Sequence, residues 1–70
     1  MTGREFLRKL SKLARERRIP FAYDPRHGKG SHGRVFCGSR STALKDTKKE
    51  LGPGLLGKML RDLGIKADDL

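Results

Sequence analysis

The sequence predicts an α+β domain in the order helix, three short strands, helix, folded as a three-stranded antiparallel sheet with both helices on one face. Three observations carry this. Apolar residues recur at helical spacing near the start, alternate with polar ones through the middle, and return to helical spacing near the end. The second sheet face is then open, and 70 residues make one domain, 1–70, too small to enclose a two-lobed cleft.

Thr2-Gly3-Arg4-Glu5 reads as a capping box, with the Thr hydroxyl and the Glu carboxylate satisfying early backbone amides in exchange. Phe6, Leu7, Leu10, Leu13 and Ala14 then line one side of a helix over 3–17, which Pro20 stops by disfavouring helical geometry at Ile19. Phe21 and Tyr23 alternate with Ala22 and Asp24 as a first strand that runs into a loop at Pro25. Residues 34–37 form a second strand, Gly38-Ser39-Arg40 a turn, and residues 41–45 a third. Gly52-Pro53-Gly54 opens the last helix, Leu55, Leu56, Met59, Leu60 and Leu63 supply its apolar stripe, and Gly64 closes it. Ile65 is expected to fold back on Leu60 in a Schellman motif, ahead of a polar tail at Asp68 and Asp69.

Charge is the strongest compositional signal: 17 Lys and Arg against 8 Asp and Glu give a net +9. The excess lies in residues 1–49, with 14 basic against 4 acidic side chains, while residues 50–70 carry 3 against 4. Such a balance favours a polyanionic partner held through phosphate contacts, with affinity that falls steeply as salt rises. Arg8, Lys12, Arg15 and Arg18 on the first helix read either as such contacts or as a solvated face. Cys37 is the single cysteine, so neither an internal disulfide nor a C-x-x-C zinc site is available, which fits a reducing cytoplasm. No apolar run approaches the roughly 20 residues that span a bilayer, so no membrane association is expected.

Gly28-Lys29-Gly30-Ser31-His32-Gly33 is the most unusual stretch, with three glycines that let backbone approach a ligand closely. An imidazole there, beside a phosphate, can take a proton from a ribose 2′-hydroxyl or return one to a leaving oxygen, and Lys29 and Arg34 can stabilise the charge that develops. The same stretch also reads as a plain hairpin turn. Strand alternation puts His32, Arg34 and Phe36 on one side and Val35 and Cys37 on the other. Tyr23 and Phe36 are either base-stacking or core aromatics, and His27 reads as a solvated loop residue. Cys37 is a small buried apolar residue rather than a nucleophile, having no base paired with it in sequence.

The α-β-β-β-α order is that of double-stranded-RNA-binding domains. Within it, Gly30-Ser31-His32, the run Lys48-Lys49-Glu50-Leu51-Gly52 and the helix from Leu55 to Ile65 resemble the HicA family of toxin ribonucleases over about residues 3–70. The resemblance implies the toxin of a type II toxin–antitoxin pair, an endoribonuclease that cuts mRNA without metal or small-molecule cofactor. It also implies a HicB-like antitoxin partner and assigns catalysis to His32. Beside the resemblance, Lys29, Ser31 and Arg34 in and next to the loop and Arg8, Lys12 and Arg15 on the first helix are the expected RNA-binding residues. Lys45 and Asp46 stand where many members have Pro and a second His, and Leu55 replaces the family's Thr. The alternative is a non-catalytic RNA-binding module, double-stranded-RNA-binding-like or KH-like, since Gly30-Ser31-His32-Gly33 matches the G-x-x-G clamp. A DNA-binding or ribosome-associated basic protein is a third class, because charge does not distinguish nucleic acids.

Overall fold

The computed structural model describes residues 1–26 and 32–70. Its elements are α1 (Gly3–Arg17), β1 (Phe21–Asp24), β2 (Gly33–Cys37), β3 (Arg40–Leu44), α2 (Pro53–Leu63) and a short 3₁₀ turn, η1 (Ala67–Asp69). The α+β architecture is the expected one, an antiparallel sheet in the order β1-β2-β3 followed by the second helix.

The start of α1 is built by the capping box: the Glu5 amide donates to Thr2 Oγ1 and the Thr2 amide to Glu5 Oε1, each at 3.2 Å. These bonds hold the Glu5 carboxyl below its usual range. Two more of the amides that a helix start leaves unpaired, those of Gly3 and Arg4, donate to the carbonyls of Lys49 and Thr47 at 3.2 and 2.8 Å. The 45–51 segment is thereby tied to α1, and an isolated bridge joins Thr2 to Glu50. At its other end α1 closes on Arg18, whose left-handed backbone (φ 56°, ψ 43°) directs the Ile19 amide to the Ala14 carbonyl at 2.9 Å.

Phe6, Leu10 and Ala14 of α1 meet Val35 and Cys37 of β2, Leu44 of β3 and Met59, Leu60 and Leu63 of α2 in one core, so both helices lie on one side of the sheet. The Ile65 amide reaches the Leu60 carbonyl at 2.9 Å and the Gly64 amide the Arg61 carbonyl at 3.1 Å, which is the Schellman closure expected of α2. Leu55 departs from expectation: it is 49% exposed, because it sits in the first turn of α2, ahead of the buried Met59, Leu60 and Leu63. Thr42 is the one polar side chain buried among the described residues; its hydroxyl donates to Asp62 Oδ2 at 2.9 Å. Lys58 Nζ meets the same oxygen at 2.8 Å, and the two donors lower the Asp62 pKa.

Three strand boundaries and the tail also differ from the sequence reading, the first being β2, which begins at Gly33 rather than at residue 34. The turn after β2 holds only Gly38 and Ser39, with Gly38 at φ +64° in the first central position, a conformation glycine adopts freely. Arg40 is therefore paired with Cys37 and β3 spans 40–44 rather than 41–45. The residues expected as a polar tail form η1, where Asp69 accepts from the Lys66 amide at 3.3 Å and pairs with Arg17 at 2.9 Å. The Arg17 guanidinium lowers the Asp69 pKa. Among the described residues no helix is long and apolar enough to cross a membrane.

Candidate active site

The alternation of β2 sorts its side chains as the sequence implies. Gly33, Val35 and Cys37 are buried beneath the helices; Arg34 and Phe36 are half-buried and face the uncovered side. Burial also raises the Cys37 thiol pKa, so the group stays protonated and unreactive at neutral pH. His32 directly precedes β2, outside the paired strand, and is exposed.

Gly33 has a packing reason of its own. A Cβ at this position would lie 2.6 Å from the Tyr23 hydroxyl and 2.8 Å from the Leu44 carbonyl oxygen. The glycine lets Tyr23 close over β2 from the helix side, and its neighbour His32 is left at the rim of the sheet. Tyr23 thus belongs to the core side, whereas Phe36 is half-buried on the open face.

Arg34 is held by its neighbours. Its Nε donates to Ser41 Oγ at 3.1 Å, which fixes the guanidinium plane, and Asp24 stands opposite it on β1. A guanidinium so held can present a fork to a phosphate. Lys45 is the residue that sequence reading passed over as a cation. Gly33 pairs with Leu44 at the end of the β2–β3 ladder, and Lys45 directly follows Leu44 and is exposed, so it lies at the same end of the sheet as His32. The signal was the length of the turn at Gly38, which sets that pairing.

The remaining RNA-binding candidates fall elsewhere. Arg8, Lys12 and Arg15 are exposed on the side of α1 opposite Phe6, Leu10 and Ala14, so they point away from the sheet and do not join His32 and Arg34. They form a second basic surface on the far side of the molecule. Lys29 and Ser31, with His27, lie outside the described residues. Compared with protein-family models, with curated proteins and with solved structures, the chain finds no match.

Proposed function

We propose that this protein is an endoribonuclease toxin of the HicA kind, cutting mRNA on its open sheet face with His32 as the proton-transfer residue. The observation that carries the reading is an exposed imidazole at the end of the sheet where Arg34 and Lys45 also lie, in a chain of net charge +9. His32 takes the proton from a 2′-hydroxyl, the freed 2′-oxygen attacks the adjacent phosphorus, and the bond to the 5′-oxygen breaks. The imidazolium then returns its proton to that leaving oxygen. Arg34 and Lys45 hold the negative charge that builds on the phosphoryl oxygens. The products are a 2′,3′-cyclic phosphate and a 5′-hydroxyl.

Among the described residues no three His, Cys, Asp or Glu side chains gather where they could hold a metal. With both proton transfers given to His32, purified protein is expected to cut RNA in excess chelator and to leave 2′,3′-cyclic phosphate ends. End-group analysis of the fragments checks this; intact RNA, or cutting restored only by added divalent metal, overturns it. A HicB-like antitoxin belongs to the same proposal. It would silence the enzyme by covering the open face, and acidic residues would speed its capture by this basic chain.

A non-catalytic RNA-binding module is the second reading, favoured by Phe36 on the open face, where a base can stack without being cut.

A further inference from the structure

Where β3 ends, the chain turns away from the sheet and passes beneath the first turn of α2, leaving a cleft of about 370 Å³ between them. Leu44, Leu51 and Leu55 give it a mostly apolar wall, and Lys45, Asp46 and Lys49 stand among them. The volume is at the small end of the range for ligand sites, roughly 300–1,000 Å³. We propose that this cleft is a nucleotide subsite: it takes one unpaired base of a single-stranded RNA against Leu51 and Leu55, with the flanking phosphates on Lys45 and Lys49.

Charge decides the occupant. The two acidic residues of the cleft are already engaged, Asp46 Oδ1 by the Lys48 amide at 2.8 Å and Glu50 by the amino-terminal ammonium of Met1. Lys45 and Lys49 are exposed, and among the described residues neither has an ion-pair partner. The cleft thus offers an apolar wall with free cations, the pairing that a base and its two phosphates require. Leu55 supplies the second argument, since an apolar side chain 49% exposed at the mouth gains by being covered. Continuity supplies the third: Leu44 and Lys45 line this cleft, and Leu44 pairs with Gly33, the residue next to His32, so the cleft opens at the end of the sheet that carries the imidazole. A base inside a duplex cannot leave its stack to enter without unpairing, so single-stranded RNA is preferred.

The subsite rests on the ribonuclease reading, and the experiment separates the two. Isotope-labelled full-length protein is titrated with a 2′-O-methylated RNA tetranucleotide, which cannot be cut, then with an RNA duplex, then with a Glu-rich peptide carrying one Leu. The tetranucleotide is expected to shift the amides of Ala43–Lys45 and Lys49–Leu55 together with those of His32–Phe36, while the duplex leaves Lys49–Leu55 unmoved. Leu55→Asp should weaken tetranucleotide binding about tenfold or more, leaving duplex affinity and the melting temperature unchanged. Shifts confined to His32–Phe36 overturn the subsite and leave the ribonuclease reading standing. No shift at His32–Phe36 with any RNA overturns that reading as well. Saturation of the cleft by the peptide, with no RNA response there, assigns it to a protein partner and overturns the proposal; the wild-type titration decides even if Leu55→Asp does not fold.

Discussion

Replacing His32 by Ala is expected to slow RNA cleavage about 10²- to 10⁴-fold, the range that a positioned acid–base group contributes. An imidazole can both take a proton from the 2′-hydroxyl and return it to the leaving oxygen, whereas the guanidinium of Arg34 can only stabilise charge. The substitution should leave the fold intact, because His32 is exposed and lies just outside the bonded ladder of β2. RNA affinity should also persist, since phosphate contacts by the cations supply most of it. Single-turnover cleavage rates, compared with binding of uncleavable RNA, check both parts. Equal rates for wild type and His32→Ala would remove His32 from the reaction; a loss of binding equal to the loss of rate would make it a contact residue instead.

Phe6→Ala is expected to have the largest effect on stability, about 3–5 kcal/mol. Phe6 is fully buried, one of the largest such side chains, and it lies in the core that joins α1 to β2 and α2. A chain of 70 residues at roughly 0.05–0.15 kcal/mol per residue holds about 3.5–10 kcal/mol in total. One substitution therefore removes a third of the stability or all of it. Urea denaturation followed by circular dichroism measures the change, and a midpoint within experimental error of wild type would show that the core does not depend on this residue.

The helices were legible in the sequence because their signals are local. Thr2 and Glu5 mark the start of α1, Pro20 its end, and Gly64 with Ile65 the closure of α2, and each feature acts within a few residues. What sequence reading missed is non-local. The bonds from Gly3 and Arg4 to the 47–49 segment and the Arg17–Asp69 pair join residues distant in the chain, and nothing in their identity announces the partner. The site shows how sharply a small local error propagates. A three-residue turn at 38–40 would set Leu44 opposite Arg34; the two-residue turn sets Ala43 there, and a slip of one residue would turn the buried Leu44 to the open face. Arg34 was found by alternation along one strand, whereas the pairing of Gly33 with Leu44, which brings Lys45 to the same end of the sheet, needed the length of the turn between two.

Arg18 is the only non-glycine among the described residues with a positive φ, and it occupies the position where helices most often end in glycine. An L-residue there gives up about 1 kcal/mol relative to glycine. Selection for a firmer fold alone would replace it, and in a domain of this size that gain would raise the melting temperature by roughly 4–8 °C. Arg18→Gly is expected to do so while removing one positive charge from the basic side of α1, which thermal melts and salt-dependent RNA binding would read separately. Robustness and charge compete at this position, and the chain carries the residue that favours charge.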